Sequence, residues 1–270
     1  MGVLNITPDS FSDGGRFFDE DRAVERALEI ERQGADVIDL GGESTRPGSK
    51  RTALEVELKR LIPVLKKIRR RISIPISIDT YKSPVAVAAL EEGAEIINDV
   101  SAGRWDPAMF ETVRRFRAGM ILMHMRGEPR MWGNLKPRRA VVQSTRNELY
   151  RFCQKALAAG IPPQRLVIDP GIGFGKNPME NMKLLARLPV LGELGFPICV
   201  GTSRKSFLGA VVDRPVEDRL MGTAASVAVA IWNGAHVVRV HDVKEMVEVA
   251  RVVDAANSVK ILPSHDKRPH

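Results

Sequence analysis

Cysteine is scarce in this 270-residue chain: only Cys153 and Cys199 occur, and neither has a CxxC partner. That excludes a disulfide framework and a cysteine-built zinc site, and both thiols are expected as buried core groups in a reducing compartment. Aromatic residues make up 5%, with two Tyr and three Trp. No RNP-type or helix-turn-helix pattern accompanies them, so nucleic acid is not an expected partner. Long apolar runs are missing too. The charge-free stretch 221–232 is too short for a bilayer and is interrupted by Gly222, Thr223 and Ser226, so no membrane association is expected. No basic segment leads into an apolar one at the amino terminus, and Ile6 stands where a myristoylation signal needs Ser or Thr. A cytoplasmic protein is expected.

What is present suits a globular protein. The chain is 44% hydrophobic and 27% charged, which excludes disorder, collagen and coiled coil for the chain as a whole. Lys and Arg exceed Asp and Glu by 41 to 33, a net charge of +8. The densest basic stretch, 59–71, spaces Leu61, Ile62, Leu65 and Ile68 at helical intervals, so its cations are read as the wet face of an amphipathic helix.

Short β-branched runs alternate with longer helical patterns. Strands are expected over 2–7, 35–41, 75–80, 96–101, 119–125, 166–171, 197–202 and 237–241. Helices are expected over 19–33, 52–71, 84–92, 106–117, 141–159, 178–187, 217–232 and 243–256, several of them closed by a glycine. Strict alternation implies a parallel sheet with right-handed crossovers, and eight units in about 250 residues is the size of an α/β TIM (β/α)8 barrel. A doubly wound sheet is the alternative, but no dinucleotide fingerprint follows the first strand. The expected organisation is one domain over 1–257 and a disordered tail over 258–270.

A barrel strand is buried on both faces, so polar residues at its carboxyl end face the mouth, pair, or bind something. Asn5, Asp39, Asp79, Asn98, His124, Asp169, Ser203 with Lys205, and Arg239 with His241 all fall there. A ring of such residues implies a polar ligand in the mouth, with Asp39 and His124 read as structural hydrogen-bonding groups. The stretch 169–176 (DPGIGFGK) resembles a phosphate-binding loop but fails the pattern at Pro170 and Asn177. The stretch 202–206 (TSRKS) suits an oxyanion better, offering hydroxyls, cations and the start of a helix; for Arg204 a structural ion pair and a ligand contact stand level. Arg239 and His241, two residues apart, project to one side of their strand and suit pyrophosphate.

The ordered set MGVLNITPDSFSDGG (1–15), GGESTRPG (41–48), SIDT (77–80), INDVSAG (97–103), MHMRG (123–127), DPGIGFGK (169–176), GTSRKSF (201–207) and VRVHD (238–242) resembles the dihydropteroate synthase family, the sulfonamide-target enzymes of folate biosynthesis. The resemblance runs to about residue 257. It implies condensation of 6-hydroxymethyl-7,8-dihydropterin pyrophosphate with 4-aminobenzoate, assisted by Mg²⁺, at the carboxyl ends of the strands. By motif, Asp79, Asn98, Asp169 and Lys205 would hold the pterin. Asn5, Thr45, Arg46, Arg239 and His241 would bind the pyrophosphate, Asn5 also the metal. Phe11, Asp13, Pro47, Phe174 and Ser206 would shape the aminobenzoate pocket. Catalysis would rest on Asp79, Asp169, Lys205, Arg239, Thr45 and Arg46, without a protein nucleophile, and a homodimer is implied. Two departures stand out. Family members usually carry residues ahead of the first strand, including a hairpin that closes the barrel bottom, and Arg126 stands where Gln is common; its guanidinium is expected to face solvent. Rival readings are a methyltetrahydrofolate-dependent corrinoid methyltransferase, in which the TRPG and GTSRKS motifs would not be expected together, and a non-catalytic pterin-binding paralogue.

Overall fold

The computed structural model describes residues 1–6, 16–44 and 51–261. Among these residues eight short parallel strands, β1 (Gly2–Asn5), β2 (Ile38–Gly41), β3 (Ile76–Asp79), β4 (Ile96–Asp99), β5 (Gly119–Met123), β6 (Leu166–Asp169), β7 (Cys199–Val200) and β8 (Val237–Val238), lie within the eight expected segments. The first six pair in sequence order, β7 pairs with β8, and single parallel bridges at Ile168 to Ile198 and Gly2 to Val240 join the two sets. The last bridge brings β8 back to β1, with Val3 N–H donating to the Val240 carbonyl at 2.9 Å, so the sheet is a closed barrel with no free edge.

Helices α1 (Arg16–Arg32), α2 (Leu54–Arg69), α3 (Ser83–Glu91), α4 (Ala108–Phe116), α5 (Val141–Ala158), α6 (Pro178–Ala186), α7 (Leu188–Gly192), α8 (Ser206–Val212), α9 (Leu220–Trp232) and α10 (Val243–Ile261) return the chain. Their apolar stripes explain their seats. In α1, Ala23, Val24, Ala27 and Ile30 are buried at helical spacing, and in α2 Leu61, Val64, Leu65 and Ile68 are buried while Lys66 is exposed. Gly34, Gly93 and Gly160 close α1, α3 and α5 in the left-handed conformation. Helix α6 starts on a capping box, Asn177 accepting from Glu180 N–H and Glu180 from Asn177 N–H, with Pro178 in the first turn.

Two differences from expectation are instructive. Helix α10 continues to Ile261, so residues 258–261 are helical rather than tail; no glycine interrupts 243–261 and the first proline comes only at 263. Residues 262–270 lie outside the described part. Helix α7 lies in no expected segment, and α8 is expected only as a helix start after 202–206, because each is under two turns long and too short to set a period.

Candidate active site

Parallel pairing without slippage puts functional residues of different strands at one height. Asn5 is in register with Gly41, Gly41 with Asp79, and Asp79 with Asn98. Gly41 supplies no side chain to that row; a Cβ there would lie 3.5 Å from Asn5 Oδ1 and 3.5 Å from Asp79 Cβ, so both groups project into the same space.

At the centre is Arg239, which follows β8. Its Nε donates to Asp39 Oδ2 at 2.6 Å and its Nη2 to Asp79 Oδ2 at 2.9 Å. Asn98 Nδ2 donates to the same Asp39 oxygen at 3.0 Å. Asp39, fully buried, is therefore the hub that joins Arg239 to Asn98, and its other oxygen has no hydrogen-bond partner among the described residues. Burial pushes Asp79 above the usual carboxylate range while the Arg239 guanidinium pulls it back. Burial opposes the charge of Arg239, but the Asp39 and Asp79 carboxylates outweigh it and hold the guanidinium above its ordinary value. Only two of the five N–H donors of Arg239 are committed to these carboxylates, so it can still receive an anion.

Across the mouth, Asp169 at the end of β6 is buried, accepts from Gly171 N–H at 2.6 Å, and is pushed up by burial with Lys205 opposing. Lys205, half-buried just before α8, donates to the Ile172 carbonyl, and its Nζ stands 4.4 Å from the centroid of the Phe174 ring. Gly201 keeps the floor clear, since a Cβ there would lie 3.7 Å from both Lys205 Nζ and Arg239 Cβ. His241 Nδ1 is 3.0 Å from Ser203 Oγ, and burial, aided by Arg239, lowers its pKa to about 4, so the imidazole is neutral near pH 7. Ser206, exposed, opens α8. Phe174 also meets Trp132 edge-on, 5.5 Å between centroids.

The structure thus gathers Asn5, Asp79, Asn98, Asp169, Phe174, Lys205, Arg239 and His241 at the carboxyl ends of the strands. Thr45, Arg46, Pro47, Phe11 and Asp13 lie outside the described residues. Glu43, close before Thr45, accepts from Tyr81 Oη at 2.9 Å and pairs with Lys82, which also pairs with buried Glu57.

Arg126 departs from its expected place, and the roles of Asp39 and Arg204 sharpen. Asp39 is structural, as expected, and its partner is Arg239, a link that only the side chains reveal. Arg204 resolves to the ion pair, with Nε 3.0 Å from Asp242 Oδ2. Arg126 does not face solvent: its side chain is 11% exposed and its Nη1 reaches Glu180 Oε1 at 3.3 Å, because that carboxylate is held beside it by the cap of α6. His124 is buried against Glu148, 3.3 Å away, and is lowered to about 4 by burial.

The family of pterin binding enzymes matches residues 1–241. The dihydropteroate synthase of Synechocystis sp. is 43% identical over 256 residues, covering 94% of this chain and 89% of that one. The Yersinia pestis dihydropteroate synthase, solved with a sulfonamide drug complex, superposes with a TM-score of 0.90 at 38% identity, covering 96% of this chain and 94% of that one. The Xanthomonas albilineans enzyme superposes at 0.89 in its 4-aminobenzoic acid structure, with 40% identity and 97% and 93% coverage. Its 7,8-dihydropteroate complex gives 0.86 at 38% identity, with 97% and 94% coverage. Closed barrel, polar mouth and near full-length similarity agree, and the chain belongs to the pterin binding enzyme family.

Proposed function

We propose that this chain catalyses the dihydropteroate synthase reaction, condensing 6-hydroxymethyl-7,8-dihydropterin pyrophosphate with 4-aminobenzoate to give 7,8-dihydropteroate and pyrophosphate. The observation that carries the reading is one mouth in which an acidic and amide cradle, Asp79, Asn98 and Asp169 with Lys205, adjoins an anion corner, Arg239 and His241. A pterin edge offers N–H donors to the two carboxylates and acceptors to Asn98 and Lys205. Arg239 takes the pyrophosphate, joined by neutral His241 as a hydrogen-bonding group and by Thr45 and Arg46. Phe174 and Ser206, with Phe11, Asp13 and Pro47, shape the aminobenzoate pocket.

The C–O bond from the pterin methylene to pyrophosphate breaks first, the electron pair leaving with the pyrophosphate. The aminobenzoate nitrogen then bonds to the cationic methylene and loses a proton. The protein neutralises the leaving group and surrounds the cation with buried carboxylates; no side chain acts as nucleophile. Both cysteines are buried, and burial raises their pKa, that of Cys153 to about 12, which keeps them inert.

Mg²⁺ is part of the proposal. The donor set fits: Asn5 offers an amide oxygen beside Asp79, and among the described residues no group of three or more His, Cys, Asp or Glu forms a dedicated cage. An ion that keeps several waters and takes its other oxygens from a phosphate substrate suits such a corner. When bound, Mg²⁺ supplies charge neutralisation to the pyrophosphate. A homodimer is also proposed, supported by exposed apolar side chains on α8, α9 and α10. A cytoplasmic location is supported by the two unpaired thiols; no helix among the described residues is long and apolar enough to cross a membrane.

Purified protein with Mg²⁺ is expected to release pyrophosphate only when both the pterin pyrophosphate and 4-aminobenzoate are supplied. Folded protein that lacks this dual dependence would sink the assignment.

A further inference from the structure

The loop between β6 and α6 holds a buried cation that the reaction above does not use. Lys176 ends the glycine-rich stretch whose sequence failed the phosphate-loop pattern. It is 9% exposed, and its Nζ donates to the carbonyls of Gly171 at 2.8 Å, Phe174 at 3.1 Å and His124 at 3.2 Å. An ammonium has three donors, so all are committed to main chain, and none to a carboxylate. A buried ammonium is unfavourable unless it is saturated in this way. The carbonyls belong to two loops, the one after β5 and the one after β6.

Two of the gripped residues serve the substrates. Gly171 donates its N–H to the Asp169 carboxylate, and Phe174 places its ring against the Lys205 ammonium. The two loops meet backbone to backbone: a Cβ at Gly171 would fall 1.9 Å from the His124 carbonyl oxygen, and one at Gly175 2.2 Å from that of Arg126. Side-chain packing is thereby excluded from the seam at these points, and what holds it is main chain, His124 N–H to the Asp169 carbonyl at 2.8 Å and Arg126 N–H to the Phe174 carbonyl at 3.4 Å, together with the three bonds of the Lys176 ammonium. Burial lowers the Lys176 pKa; Asp169 opposes this, Lys205 adds to it, and Glu180 and Glu148 oppose it further.

We propose that Lys176 is a positioning residue, which binds the carbonyls of His124, Gly171 and Phe174 and so presents Asp169 to the pterin and Phe174 to the aminobenzoate together. The proposal rests on the function given above, and the test separates the two. Wild-type protein must first show the dual-substrate reaction; if it does not, the functional reading fails and not the geometry of Lys176. Lys176→Met keeps the length of the side chain and removes its donors and charge. With the far-UV spectrum and a cooperative melt intact, the KM for each substrate is expected to rise tenfold or more, and kcat to fall less than threefold. Lys176→Arg, which keeps charge and donors, is expected to recover most of the loss. Should Lys176→Met not fold, Lys176→Gln carries the same expectation. Both KM values within twofold of wild type in a folded variant, or a loss confined to kcat, would overturn the proposal, as would failure of both variants to fold, which would make the ammonium a support of the fold alone.

Discussion

Half-buried over the Phe174 ring, the Lys205 ammonium has its pKa lowered to about 8 by burial, with the Asp169 carboxylate opposing the shift. The pterin contact proposed for it calls for the charged form, so kcat/KM for the pterin substrate is expected to fall as pH rises through about 8. The effect on stability runs the other way. The unfolded chain binds this proton up to the ordinary value of 10.5, the folded one only to about 8, so stability from this residue rises with pH between the two. Loss of activity without loss of fold is the resulting signature. Lys205→Arg stays charged throughout and should carry the alkaline limb above pH 9. A limb unmoved in that variant would assign the titration elsewhere, Lys176 being the neighbouring candidate. Most of these residues were legible in the sequence because a charged or amide side chain at the end of a buried strand has few tolerable fates. Asp39 and Lys176 show where legibility stops. Each is buried and polar, and nothing in sequence spacing says that the partner of Asp39 is Arg239, 200 residues away, or that Lys176 binds carbonyls rather than phosphate.

At the scale of elements, β2 to β6 were legible because each is a compact, largely apolar run whose buried residues, Ile38, Leu40, Ile76, Ile78, Ile97 and Ile168 among them, admit no other seat. Strands β7 and β8 form ladders of two residues inside longer apolar runs, although the bond from Arg239 N–H to the Val200 carbonyl at 2.9 Å carries the pairing further. Loop geometry was less legible, since a glycine in sequence does not reveal what it avoids. Gly171 has φ of 63° and lies against the His124 carbonyl, whereas Gly192, in α7, has nothing within 4 Å of an added Cβ. Gly171→Ala must both enter the left-handed region and push two loops apart, a loss of about 3 kcal/mol or more. In a chain of this size that lowers Tm by roughly 6–12 °C. Gly192→Ala should be neutral or stabilising by up to about 1 kcal/mol. Equal melting temperatures for the two variants, read by calorimetry, would show that the seam between the loops after β5 and β6 is not tight.

Around the whole barrel, exposed apolar side chains are unevenly placed. Val56, Met131, Tyr150 and Met179 stand on separate elements, but the last quarter of the chain exposes Val211 on α8, Met221, Val229 and Trp232 on α9, and Val252 and Val259 on α10. On α9 the residues 221, 229 and 232 recur at i, i+8 and i+11, which is one helical face, and α9 packs against both α8 and α10. Met221 is 78% and Val252 70% exposed, a concentration of apolar surface that a monomer rarely keeps in water. A self-complementary contact through this flank, the homodimer proposed above, would cover it and leave the mouth open, since the mouth lies at the carboxyl ends of the strands and the flank along the outer helices. Sedimentation equilibrium at micromolar concentration should therefore return about twice the protomer mass of 29.8 kDa. Met221→Glu combined with Val252→Glu places charge on two of its helices and should return a single protomer, still folded by far-UV spectrum and melt, because neither side chain enters the core. Wild-type protein at 29.8 kDa across that range would remove the dimer, and a double variant that stays twice that mass would move the interface to another face of the barrel.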